Sequence, residues 1–278
     1  MLKRTITGAI GTLCLIPVFI WSDTWVLPII VSLVALLGCY EMVSCIGQKK
    51  NLFISVPIYI EAVFFPLFVR YCHNRDNMDF FVLVSVFCIL GTILYVLAVA
   101  VFMNEKIAVT DAGLWAATAI YIIAAATCIV YVRDFIEPGI FMFLLCIISA
   151  FVTDIFAYFT GMLFGKHKLI PSVSPKKTIE GAVGGVVFCV IFFVVYGIII
   201  ELTTEYEANY FVLAVAGVIV SVVSQIGDLI MSLIKRKFGI KDYGKIFPGH
   251  GGILDRCDSI LAVTTVVAII CTFFDMFQ

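Results

Sequence analysis

Residues 209–274 read NYFVLAVAGVIVSVVSQIGDLIMSLIKRKFGIKDYGKIFPGHGGILDRCDSILAVTTVVAIICTFF, two apolar runs parted by a short polar insert. Each run reaches the length of about 20 residues that crosses the hydrocarbon core of a bilayer. The insert and its flanks, residues 224–258, hold six basic residues, four aspartates and one histidine. Ionisable groups are costly at a membrane, so such a cluster between two spans marks a functional site. Its composition suits phosphate chemistry. Lysine and arginine neutralise phosphates, aspartates hold a hard divalent cation, and glycines let backbone N–H groups approach an anion.

The same alternation continues outward from this stretch. The 278 residues are 63% hydrophobic and 13% charged, with a mean hydropathy of +1.14, too apolar for a soluble globule. Apolar runs at 5–21, 25–45, 52–69, 80–103, 113–132, 140–164, 178–200, 209–234 and 253–274 predict nine membrane-spanning helices. The connections are short, so the expected architecture is all-α, a single polytopic membrane domain spanning 1–278. Residues 1–136 are expected to form a helical scaffold for lipid and dimer contacts. Residues 137–278 are expected to carry the catalytic helices and two cytoplasmic loops.

Orientation follows from the basic residues. With the N-terminus in the cytoplasm, only Arg70, Arg75 and Arg133 of the 18 lysines and arginines fall outside, the bias that membrane insertion favours. The acidic loop 201–209 then lies outside as well. Lys3 and Arg4 precede an apolar run as in a signal peptide, but no small-residue cleavage site follows, so an uncleaved first span is expected. The ten cysteines show neither CxxC nor zinc spacing and read as apolar packing residues.

Two connections expected on the cytoplasmic side carry the chemistry. In the later one, Gln225 and Asp228 share a helix face, Ser232 and Lys235 continue it, and Arg236, Lys241 and Asp242 follow. Pro248-Gly249-His250-Gly251-Gly252 cannot be helical, and non-helical backbone at a membrane lines polar cavities. Asp255 and Asp258 lie one turn apart at the start of the next helix, with Arg256 between them. Carboxylates from two facing helices, Asp228 with Asp255 and Asp258, are candidates to hold Mg²⁺ while leaving positions for substrate phosphates. The earlier connection offers Asp154 and Tyr158 one turn apart, then Ser174, Lys177, Thr178 and Glu180. Ser174 or Thr178 is a candidate cap of the following helix, and Lys177 a candidate phosphate contact. The alternative is a positive-inside loop with capping aspartates, which accounts for the lysines but not for Asp228 inside a span.

At these residues the chain resembles the phosphatidate cytidylyltransferases, or CDP-diacylglycerol synthases. The resemblance rests on Ser232-x-x-Lys235-Arg236-x₄-Lys241-Asp242, Pro248-Gly-His250-Gly251-Gly252 and Asp255-Arg256-x-Asp258. Upstream it adds Asp154-x-x-Ala157-Tyr158, Gly161, Ser174-Pro-Lys-Lys177-Thr178-x-Glu180-Gly181 and Gln225-x-Gly227-Asp228. It covers roughly residues 150–262; Met162 departs from it, standing where many members carry Lys or Arg. The resemblance implies the reaction CTP + phosphatidate → CDP-diacylglycerol + diphosphate, in phospholipid biosynthesis. It also implies Mg²⁺ with Asp228 and Asp255 as ligands, a monovalent cation such as K⁺ beside it, and a homodimer in the bacterial inner membrane. Its active site would face the cytoplasm, and nucleic acid is not an expected partner. Two other readings compete. A CTP-dependent isoprenoid-alcohol kinase or an archaeal-type CDP-lipid synthase would share the nucleotide; a transporter would place ionisable residues in several spans reaching both faces.

Overall fold

The computed structural model describes residues 15–47, 52–103, 109–247 and 251–278. Among them, eight helices are long and apolar enough to cross a membrane. They are α1 (Val26–Cys45), α2 (Leu52–His73), α3 (Met78–Phe102), α4 (Val109–Phe135), α5 (Gly139–Phe164), α6 (Ile179–Thr203), α7 (Tyr210–Lys237) and α8 (Leu254–Phe273). Each coincides with one of the predicted spans to within a few residues, and the protein is an all-α polytopic membrane protein. Most of the first predicted span, 5–21, lies outside the described residues; residues 15–20 at its end are helical. Lipid offers backbone groups no hydrogen bonds, so a continuous apolar run must satisfy them internally as a helix. Polar side chains begin several of the helices. Asn77 Oδ1 accepts from the Phe80 N–H at 3.2 Å, and Asn209 Oδ1 from the Val212 N–H at 3.2 Å. Thr178 Oγ1 accepts from the Gly181 N–H at 3.1 Å, so of the two candidate caps Thr178 is the one used.

The chain divides into two compact units, residues 1–134 with 240–256, and residues 135–239 with 257–278. In the first, α1 packs on α2 and α2 on α3. Its polar anchor is the buried Arg70. Arg70 Nε donates to Asp134 Oδ2 at 2.5 Å, and its Nη atoms donate to the carbonyls of Asp23, Thr24 and Ser22 at 2.6 to 2.8 Å. A buried guanidinium is tolerated because it is paired and hydrogen-bonded.

In the second unit, α6 packs against both α5 and α7, and α5 also meets α7. Small residues set the α5–α6 distance. A Cβ added at Gly161 would stand 2.7 Å from Thr178 Oγ1, and one at Gly181 2.6 Å from the Ala157 carbonyl oxygen. At Gly184 it would overlap the Thr160 side chain. Close backbone approach of this kind drives helix association in lipid. Gly184→Val is expected to destabilise the protein by about 1–3 kcal/mol, read as a lowered thermal midpoint in detergent.

One element departs from the expected loop. Residues 165–181 contain an antiparallel hairpin, β1 (Lys168–Ile170) with β2 (Ser174–Thr178), pairing Lys168 with Thr178 and Ile170 with Ser174. The Ile179 N–H donates to the His167 carbonyl at 3.0 Å and closes its base. A connection this near the membrane has to pair its backbone polar groups, and a tight hairpin does so locally.

Candidate active site

In the second unit, a cavity of about 410 Å³ opens beside the hairpin. Asp154, Ala157, Tyr158 and Gly161 line it from α5, Lys176, Lys177 and Thr178 from β2, Gly181 and Ala182 from α6, and Gln225 and Asp228 from α7. The cap at Thr178 and the glycine contacts bring these three helices close enough for one cavity to touch all of them. Six of the residues singled out from the sequence therefore converge: Asp154, Tyr158, Lys177, Thr178, Gln225 and Asp228. Lys176, Met162 and Leu169 line it too.

Asp228 has the cation partner that its place inside a span demands. Lys177 Nζ lies 2.7 Å from its Oδ2, and Ser232 Oγ donates to its Oδ1 at 3.2 Å. Asp154 Oδ2 accepts from Ser259 Oγ at 3.3 Å, and Asp258 Oδ1 from the Ser259 N–H at 2.9 Å. Asp154, Asp228 and Asp258 repel one another, while Lys177 attracts Asp154 and Lys235 attracts Asp258. Three carboxylates thus gather beside Lys177 and Lys235, and Lys176 also lines the cavity. Among the described residues, no three Asp, Glu, His or Cys side chains sit close enough to cage a metal ion. Mg²⁺ at phosphate-transfer sites takes one or two carboxylates and completes its shell from substrate phosphates and water. This donor set fits that mode.

Other residues from the sequence reading have visible tasks beside the cavity. Gln225 Nε2 donates to the Ala182 carbonyl at 3.2 Å, joining α7 to α6. Arg236 Nε donates to the Val173 carbonyl at 3.4 Å, fastening the hairpin tip to the end of α7. Glu180 does not line the cavity. Its carboxylate accepts from the N–H groups of Lys166 and His167 at 3.1 and 3.2 Å and lies 2.6 Å from His167 Nδ1, fixing the chain entering the hairpin. Ser174 begins β2 and is half-buried.

The first unit holds the second charged loop, residues 240–256. Asp255 Oδ2 accepts from the N–H groups of Tyr243 and Gly252 at 2.8 and 2.9 Å, so this carboxylate ties Tyr243 to Gly252. The Phe247 N–H donates to the Gly251 carbonyl at 3.0 Å, and Gly251 takes φ +89°, which favours glycine. Pro248, Gly249 and His250 lie outside the described residues. Lys241, Asp242 and Arg256 are exposed.

Glu41 is the residue that sequence reasoning missed. It is 2% exposed, and its two oxygens accept from the Ile253 and Leu254 N–H groups, each at 2.9 Å. It caps α8 from another helix, and a Cβ on Gly244 or Gly252 would collide with its carboxylate. An acid inside the apolar run 25–45 was the available signal.

The profile of the cytidylyltransferase family matches residues 2–274. The chain is 31% identical to a protein of Staphylococcus aureus (strain COL) named phosphatidate cytidylyltransferase, over 97% of this chain and 98% of that one. Proteins of the same name from Staphylococcus epidermidis (strain ATCC 35984) and Staphylococcus haemolyticus (strain JCSC1435) are each 30% identical over the same shares.

Proposed function

Since this chain belongs to the cytidylyltransferase family, we propose that it is the membrane nucleotidyltransferase that joins CTP and phosphatidate into CDP-diacylglycerol and diphosphate. The observation that carries this reading is the Lys177–Asp228 pair in a cavity walled by three transmembrane helices. The lipid phosphate is already an anion near neutral pH, so its oxygen attacks the α-phosphorus of CTP without a strong base. The bond from the α-phosphorus to the bridging oxygen breaks, and diphosphate leaves. The difficulty lies in bringing two anions together, which positioned cations overcome.

Lys177 exchanges Asp228 for a substrate phosphate, and Lys176 and Lys235 neutralise the remaining charge. Asp228 and Asp258 are the carboxylates that would hold Mg²⁺; when bound, the ion neutralises the CTP phosphates and orients them. Asp255, one turn before Asp258 on α8, holds the Tyr243 and Gly252 N–H groups, and its further assignment to the metal rests on the family resemblance. So do any catalytic part for Lys241, Asp242, His250 and Arg256, a monovalent cation beside Mg²⁺, and a homodimer. The segregation of basic residues supports placing the cavity on the cytoplasmic side of the cell membrane.

A kinase acting on an isoprenoid alcohol would release CDP. Purified protein given Mg²⁺, CTP and phosphatidate is expected to release diphosphate and no CDP, resolved by anion-exchange chromatography. CDP formed only when an isoprenoid alcohol is supplied would transfer the reading to the kinase.

A further inference from the structure

The catalytic cavity adjoins an apolar groove of about 290 Å³. Leu169, Ala182 and Gln225 line both, so the two lie side by side. Beyond them the groove runs between α6 and α7, with Val186 and Val222 at its far end. These helices are consecutive and antiparallel. Moving from Ala182 to Val186 on one, and from Gln225 to Val222 on the other, leads away from Asp228 along the groove. Gln225 is the single polar residue in the lining, and its amide is held by the Ala182 carbonyl. Val183 and Val222, 58% and 42% exposed, stand open to the bilayer.

We propose that this groove binds one acyl chain of the lipid substrate and makes the enzyme select for chain length. The inference rests on the proposed function, which places a phosphate with attached acyl chains in the adjoining cavity. An apolar channel that begins at an anion site and opens to lipid matches such an amphiphile at both ends, and no soluble nucleotide has use for it. If a methylene takes roughly the ~30 Å³ of a water molecule, the groove accommodates on the order of ten chain carbons. On that count a six-carbon chain leaves part of the groove unfilled, whereas a chain of about ten or more carbons fills it.

The test compares dihexanoyl with dioleoyl phosphatidate as kcat/KM. Val222→Phe, which narrows the far end, is expected to lower the dioleoyl-to-dihexanoyl ratio about tenfold. Val183→Phe, at a site where added bulk meets lipid and not the helix interior, is expected to lower it in the same direction. Val195→Phe, on α6 but off the groove, leaves the ratio unchanged. A ratio unmoved by both groove variants would overturn the proposal. A second measurement is independent of turnover: phosphatidate carrying a diazirine at the tenth chain carbon is photolysed with the unsubstituted protein, and the adduct is mapped by mass spectrometry. Adducts on Val186, Val222 or Ile226 support the groove; adducts confined to other helices overturn it. Adducts in the groove without any CDP-lipid formation would instead sink the proposed reaction and leave the lipid site standing.

Discussion

Asp228→Asn is expected to lower cytidylyl transfer about a thousandfold, or ~4 kcal/mol of transition-state stabilisation, the scale seen when one preorganised electrostatic group is lost from a catalytic site. The side chain keeps its size, and an asparagine oxygen still accepts from Ser232 Oγ, which donates to Asp228 Oδ1 at 3.2 Å. What disappears is the charge that sets Lys177, 2.7 Å away, and the carboxylate proposed to hold Mg²⁺. Asp154 also attracts Lys177, so the lysine retains an acidic neighbour and the unit stays folded. The measurement is kcat per folded molecule, with folding judged by size-exclusion elution and thermal midpoint. A purely structural Asp228 would lower the midpoint and leave kcat within a few-fold.

The second large effect concerns stability. Glu41→Gln is expected to cost about 3 kcal/mol. A carboxylate presents two acceptors to two donors, here the Ile253 and Leu254 N–H groups. The amide presents one acceptor and turns an N–H₂ towards the remaining N–H. A charge-assisted hydrogen bond is lost and a buried donor is left unsatisfied. Because Gly244 and Gly252 close tightly around the carboxylate, water has little room to repair the defect. Glu61→Gln is the matching control. Glu61 Oε1 accepts from Thr92 Oγ1 at 2.5 Å, a bond that glutamine can still make. Thermal unfolding in detergent should therefore show a marked fall for the Glu41 variant and a small one for Glu61. Equal midpoints would remove Glu41 from its capping role.

The contrast between these residues explains what was legible beforehand. The helices were readable because a bilayer reduces the question to length and hydropathy, and eight of the predicted spans are present among the described residues. Asp228 was readable because an ionised group inside a span is anomalous and needs a partner. Lys177 as that partner was not readable, since the pairing depends on how α6 and α7 meet, which small residues determine through contacts distant in sequence. The hairpin escaped because its strands are short and carry polar residues, so their period-2 signal is weak. Glu41 escaped because its donors lie 212 and 213 residues away. Arg70 and Asp134 stand 64 apart, and their ion pair was likewise visible only after folding.

The cavity carrying Lys177 and Asp228 is proposed to transfer the cytidylyl group onto a lipid phosphate. The most direct test supplies detergent-purified protein with Mg²⁺, phosphatidate and CTP labelled at the α-phosphorus, and follows the label into the organic phase. Label in lipid is expected, with one diphosphate released for each, and a loss of both in Asp228→Asn. Label that stays in the aqueous phase with the unsubstituted protein, or lipid labelling at full rate in Asp228→Asn, would contradict it.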